Sequence, residues 1–200
     1  MDKVSVVIPS RNCQFASRTV DDLIEKATGD IEIIIVLDGY WPDPPIKDYP
    51  NVTIVHRGVF QGMRLGINTA VAIAKGKYIM KSDDHCMFGY GFDEILKANC
   101  EPDWVSVPRR YSLDAEKWQC KEKPPIDYYY LSYPDNPNDF GGAGYHGRNW
   151  DEMNRRKDLQ LVPIDDQMSF QGSCWFMHKD YFHYLELLDH EQYGIFWQEA

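Results

Sequence analysis

The chain has 200 residues, with 31 acidic and 21 basic side chains and a net charge of −10. A chain of this size buries roughly 70% of its unfolded surface and needs no disulfide staples, and its acidic balance argues against a nucleic-acid backbone as the main partner. The five cysteines (Cys13, Cys86, Cys100, Cys120 and Cys174) are odd in number and form no CxxC pair, which disfavours a disulfide framework or zinc cluster and fits a reducing, cytoplasmic compartment.

The first half alternates strand and helix patterns. Val4 to Pro9 is β-branched and nearly all apolar, as in a strand buried on both faces. Ala16 to Ala27 reads as a helix, with Val20, Leu23, Ile24 and Ala27 at helical spacing and Gly29 at its end. Ile31 to Leu37 is a second buried strand, closed by Asp38-Gly39. A proline-rich loop (Pro42, Pro44, Pro45, Pro50) leads to a short strand, Val52 to Val55. Gly66 to Lys75 is an Ala/Ile/Val helix stopped by Gly76, and Lys77 to Lys81 is a fourth strand running into Ser82-Asp83-Asp84-His85. This βαβ rhythm predicts an α/β fold with a mostly parallel central sheet flanked by helices.

The second half is less regular. Trp104 to Pro108 reads as a strand. Residues from about 109 to 166 are rich in Pro, Tyr, Gly and charge, a composition expected of a functional or mobile insert. Gly172 to Met177 returns to strand grammar, and Tyr181 to Leu188 to helix. The expectation is one domain over residues 1–200, with a nucleotide-binding half (1–100) and an acceptor-side half (101–200). No apolar run approaches the roughly 18 residues that cross a membrane, and Met1-Asp2-Lys3 leads straight into a strand without a signal-peptide pattern.

Open α/β sheets bind ligands at the carboxyl ends of their strands. Three polar clusters fall there: Ser10-Arg11-Asn12, Asp38, and Asp83-Asp84-His85. Taken singly each has an ordinary reading: Asp38-Gly39 as a turn, Asn12 as a helix cap, and Asp83-Asp84-His85 as a polar turn. A carboxylate and an imidazole two residues apart also suit one hard divalent cation with sites left open for phosphate oxygens.

In combined order and spacing these segments resemble the GT-A glycosyltransferases, and most closely the family 2 type. The matching stretches are Val4 to Asn12, Glu32 to Gly39, Gly62-Met63-Arg64 through Ile79, and Asp83-Asp84-His85-Cys86, with a later match from Gln171 to Phe182 and at Tyr193 to Glu199. Family 2 carries DxD where this chain has Asp83-Asp84-His85, which is similar to the DxH form of the polypeptide N-acetylgalactosaminyltransferases. The resemblance implies a GT-A fold and a metal-dependent transfer of a sugar from a nucleotide sugar, a UDP-sugar by expectation, to an acceptor hydroxyl. It implies that Pro9, Ser10, Asn12, Asp38, Arg64 and Asp83 bind the nucleotide. It implies further that Asp83 and His85 hold Mn²⁺ or Mg²⁺, and that Gly172, Trp175 and Trp197 lie against the donor or acceptor sugar. Glu199 would be the base that deprotonates the acceptor. Asp84, the middle residue, is left out of the ligand set, and His146 and His178 stand as candidates for a third ligand.

Arg109-Arg110, Arg148 and Arg155-Arg156-Lys157 suit either an anionic acceptor or a solvated charged face. The acceptor stays open among glycan, protein, small molecule and modified nucleic acid, and so does inverting or retaining stereochemistry. Two other functions compete: a nucleotide-sugar-binding domain without turnover, and a nucleotidyltransferase, which would want a Gly-rich basic phosphate loop that Ser10-Arg11-Asn12-Cys13 lacks. Because Glu199 is next to last, the resemblance also predicts a piece of a longer chain, or a minimal variant.

Overall fold

A computed structural model describes residues 2–133, 146–186 and 188–193. They form two compact units. One takes residues up to Pro108, Ala115–Trp118 and residues from Gly172 onward; the other takes Arg109–Asp114 and Gln119–Gln171. In chain order the elements are β1 (Val4–Ser10), α1 (Ala16–Lys26), β2 (Ile31–Asp38), β3 (Val52–Arg57), α2 (Met63–Ile73), β4 (Tyr78–Ser82) and α3 (Phe92–Ala98). There follow β5 (Leu113–Asp114), β6 (Gln119–Cys120), β7 (Tyr129–Ser132), β8 (His146–Asn149), α4 (Asp151–Asn154), β9 (Cys174–His178), α5 (Lys179–Leu185) and α6 (His190–Tyr193).

The first unit is built on a five-stranded sheet in the order β3-β2-β1-β4-β9. Its first four strands are parallel, and β9 runs antiparallel beside β4. β1 and β2 are buried at every position because both sheet faces are covered. Alternate side chains go to opposite faces. Val4, Val6 and Ile8 join Ala16, Val20 and Leu23 of α1 in one apolar cluster; Val7 joins Ile67, Ala70 and Val71 of α2 in the other. Each buried Val, Leu or Ile side chain among these stabilises the fold by about 1.5–3 kcal/mol relative to an exposed one.

A buried polar knot ties the end of α2 to the sheet. Ser5 Oγ donates to Glu32 Oε1 (2.6 Å) and accepts from the Gly76 N–H (2.8 Å), while the Lys75 N–H donates to the same Glu32 oxygen (2.6 Å). Gly76 is required by close approach: a Cβ there would lie 2.6 Å from Ser5 Oγ and 2.7 Å from both the Lys3 oxygen and the Ser5 nitrogen.

Three expected elements change. Trp104 to Pro108 is not a strand; it makes one isolated antiparallel bridge, Ser106 with Phe176, through two backbone hydrogen bonds of 2.8 Å. Pro108 has no N–H with which to extend that ladder, and the Trp104 N–H is tied back to the Glu101 carbonyl (3.1 Å). α2 starts three residues early, at Met63, because the preceding Gly62 adopts φ +92 and turns the chain into the helix. The helix expected at 181–188 starts at Lys179 and stops at Leu185, where Glu186 takes up a left-handed conformation (φ +48).

The second unit, in the region expected to be weakly structured, contains two short antiparallel ladders, β5–β6 and β7–β8, with α4 and a single 3-10 turn at Leu159–Leu161. Its centre is the buried Tyr128, whose hydroxyl donates to Asp165 Oδ2 (2.6 Å). The Asn154 side chain brackets Tyr128, accepting from its N–H and donating to its carbonyl, each at 2.9 Å. Much of the basic cluster is paired within this unit. Arg109 forks onto Asp127 (3.0 and 2.9 Å), and Arg156 pairs with Asp158 (2.5 Å).

Candidate functional site

β1 and β4 are parallel neighbours, with Val7 opposite Lys81. The segments that follow Ser10 and Ser82 therefore leave the sheet side by side at its carboxyl edge, where open α/β sheets place their ligands. A cleft of about 580 Å³ occupies this edge, lined by Pro9, Asn12, Cys13, Asp83, Asp84 and His85 among others.

Asp84 is the hub. Ser10 Oγ donates to Asp84 Oδ2 (2.6 Å), and His85 Nδ1 lies 3.0 Å from Asp84 Oδ1. The Tyr40 hydroxyl, on the loop after β2, bonds in turn to Ser10. Burial raises the Tyr40 pKa to about 12, so it stays a neutral phenol. Cys13 Sγ donates to the Asp84 carbonyl (3.3 Å) and accepts from the Phe15 N–H (3.4 Å). Donor atoms of Cys13, Asp84 and His85 all lie within 4.8 Å of one another.

The hydrogen bond to Asp84, followed by one to Cys13, raises the His85 pKa to about 10. With no cation bound, the ring is an imidazolium at neutral pH, and an arriving cation must displace that proton.

Asp83 has a different partner. Lys81, 1% exposed, reaches from β4 to Asp83 Oδ1 (2.5 Å) and to the Gly172 carbonyl (2.5 Å). The Asp83 N–H donates to the Ser173 carbonyl (2.8 Å). Lys81 thus fixes the start of the Asp83-Asp84-His85 turn against the segment that enters β9. Its charge balances Asp83, as His85 balances Asp84. Asp83 Oδ2 remains 4.0 Å from His85 Nε2, at the cleft wall.

The structure brings Pro9, Asn12, Asp83 and His85 of the expected set to this cleft. Asn12 has φ +53, a left-handed turn that Asn tolerates better than most residues. Ser10 is fully buried, and its hydroxyl serves Asp84. Asp38 is 3% exposed and faces the start of α2: it accepts from the N–H groups of Gln61 (3.0 Å) and Gly62 (2.8 Å) and lies 3.6 Å from Arg57 Nη1. Arg64, in the first turn of α2, is also buried and does not line the cleft.

Trp175, expected against a sugar, is not among the residues that line the cleft. It is 3% exposed and stacks on Phe182 of α5 (centroids 5.9 Å apart), because its face of β9 is the one α5 covers. Gly172 acts through its carbonyl on Lys81. His178 packs against Tyr78 at the opposite, amino end of β4 and is no third ligand. The His146 side chain, Trp197 and Glu199 lie outside the described residues.

Four residues with a part in this geometry are missing from the expected set: Cys13, Tyr40, Lys81 and Asp84. A usable signal was present for two of them. Parallel pairing of β1 with β4 brings the residues just after each strand together, so Cys13 and Asp84 become neighbours once that pairing is assumed. Lys81 carried a weaker one, a charge in a strand otherwise apolar, which is buried only when partnered.

The model of the family described as glycosyl transferase family 2 matches residues 5–185. Among solved structures the chain is similar to the mannosyltransferase PcManGT from Pyrobaculum calidifontis, in complex with GDP-Man and Mn²⁺, at 18% identity and a TM-score of 0.44, covering 54% of this chain and 35% of that one. It is also similar to S. aureus TarS 1-349, at 18% identity and a TM-score of 0.34, covering 48% and 30% respectively. The chain thus spans about a third of the length of these two structures. No curated protein matches it.

Proposed function

The chain belongs to glycosyl transferase family 2, and from that membership we propose that its cleft binds a nucleotide sugar and a divalent cation and passes the sugar to an acceptor hydroxyl. The observation that carries this reading is the convergence of Asp84, His85 and Cys13, with Asp83 beside them, at the carboxyl ends of β1 and β4. Its sheet is the mostly parallel α/β arrangement of the GT-A fold.

Once His85 gives up its proton as a cation arrives, Asp84 takes that cation as its counter-charge, and the nucleoside diphosphate is attracted to the cleft. Asp84 and His85, with Asp83 alongside, would hold that cation, Mn²⁺ in the first instance with Mg²⁺ as the alternative. When bound it acts as a Lewis acid and neutralises charge on the leaving diphosphate. The chain's own residues do the rest. Ser10 and Tyr40 keep the Asp84 carboxylate fixed toward the cleft, so no reorganisation is needed as charge develops. Pro9 and Asn12 offer a surface for the nucleoside, with uridine as the proposed base. Glu199 is proposed to take the proton from the acceptor hydroxyl, which is a poor nucleophile without a base.

Release of nucleoside diphosphate from a panel of UDP-sugars tests the reading. Turnover is expected to require Mn²⁺ or Mg²⁺, and His85→Ala should lower kcat/KM about a hundredfold, equivalent to about 2.7 kcal/mol of transition-state stabilisation. Metal-independent turnover, or an unchanged His85→Ala variant, would count against the site. An active Glu199→Ala variant would remove Glu199 from the base role.

A further inference from the structure

We propose that Cys13 is a third protein ligand of the cleft cation, so that the ion sits among one sulfur, one oxygen and one nitrogen donor. This rests on the reading above that the cleft takes a divalent cation. The first ground is distance. Cys13 Sγ, an Asp84 carboxylate oxygen and an imidazole nitrogen of His85 lie within 4.8 Å of one another. Bonds of about 2.0–2.3 Å at the angles of a tetrahedral or octahedral shell put neighbouring ligand atoms about 3–3.7 Å apart, so side-chain adjustments of up to about 1–2 Å gather the three.

The second ground is how the donors are held. Ser10 grips Asp84 Oδ2 and leaves Oδ1 on the His85 side, the kind of outer hydrogen bond that orients a metal-binding carboxylate. The left-handed turn at Asn12 reverses the chain, and the Phe15 N–H fixes the sulfur on the Asp84 side of the loop. Both segments are anchored on adjacent buried strands, so the three donors share one rigid base. On binding, the thiol loses its proton to solvent and the thiolate bonds the ion. With three protein donors, the remaining positions stay open for diphosphate oxygens.

A sulfur donor changes which ion is favoured. Mg²⁺ demands oxygen ligands in near-octahedral geometry, whereas a thiolate and an imidazole suit Zn²⁺, Co²⁺ and, less strongly, Mn²⁺. Selectivity for Co²⁺ over Mg²⁺ should therefore fall in Cys13→Ser.

Titration of the purified chain with Co²⁺ reads the ligand directly. The expected result is a near-ultraviolet sulfur-to-cobalt charge-transfer band that persists in Cys120→Ser. In Cys13→Ser the band should vanish, with Co²⁺ binding weakened by at least about tenfold. Alkylation of Cys13 by iodoacetamide, followed by mass spectrometry on the unmutated chain, needs no variant to fold; saturating Co²⁺ should slow it at least about tenfold. Co²⁺ binding without the band and without protection of Cys13 overturns the ligand assignment and leaves the cation reading standing. Absence of Co²⁺, Mn²⁺ and Mg²⁺ binding overturns both.

Discussion

Asp38→Ala is expected to lose about 3–5 kcal/mol of folding stability, seen as a lower denaturation midpoint with an unchanged slope. The carboxylate ends β2 inside the protein, and three groups depend on it. The Gln61 and Gly62 N–H groups donate to it, just before the first turn of α2, where unsatisfied donors and the positive end of the helix dipole favour an anion. The third group is Arg57, whose side chain is 9% exposed and whose pKa is lowered chiefly by burial, with Asp38 opposing the shift. Removing the carboxylate leaves a buried guanidinium without its counter-charge and two N–H groups without an acceptor. Asp38→Asn keeps one acceptor oxygen and is expected to cost about half as much. The pair of variants also separates two roles. If Asp38 served a nucleobase alone, stability would hold and only nucleotide affinity would fall.

Lys81→Ala is expected to cost about 4 kcal/mol, and Lys81→Met about 2 kcal/mol. The alanine variant loses the ammonium's bonds to Asp83 and to the Gly172 carbonyl and also opens a cavity in the sheet. Methionine fills most of that volume and relieves the cost of burying a charge, so the difference between the two measures packing. Any nucleotide-binding defect in Lys81→Met then reports the positioning of Asp83, because its stability loss leaves the protein folded at 25 °C for a domain of ordinary stability, about 5–15 kcal/mol. Wild-type nucleotide affinity in Lys81→Met, measured by calorimetry, would show that Lys81 supports the fold and not the site.

These two residues also mark where the sequence is legible and where it is not. β1, β2, β3, α1 and β4 follow from apolar runs and helical spacing, since a strand covered on both faces leaves little choice of side chain. The position of Asp83-Asp84-His85 at the end of β4 follows from the same pattern. What the pattern does not carry is partnership across long separations. Two of the three partners of Asp38 are backbone N–H groups more than twenty residues away, and a backbone donor has no signature in sequence. Lys81 meets Gly172 across 91 residues.

The Trp104 to Pro108 segment illustrates a second gap. Its strand-like composition is real, but hydrogen-bonding partners decide pairing, and Pro108 stops the ladder after one bridge. Trp175 shows a third. An aromatic residue such as Trp175 reads in sequence as a sugar platform or as core, and the docking of α5 through Phe182 is what buries it. Motif register alone points to Asp83 rather than Asp84 as the ligand. Side-chain direction, set by the Ser10 hydroxyl on one carboxylate and the Lys81 ammonium on the other, turns Asp84 toward His85.

Calorimetry of UDP binding, with and without Mn²⁺, on the unmutated chain and on His85→Ala tests the central claim most directly. The predicted result is UDP binding that needs Mn²⁺ and weakens at least about tenfold in His85→Ala, a loss of about 1.4 kcal/mol or more. Equal UDP affinity in the presence of a chelator, or in His85→Ala, would contradict the assignment of this cleft as a cation-dependent nucleotide-sugar site.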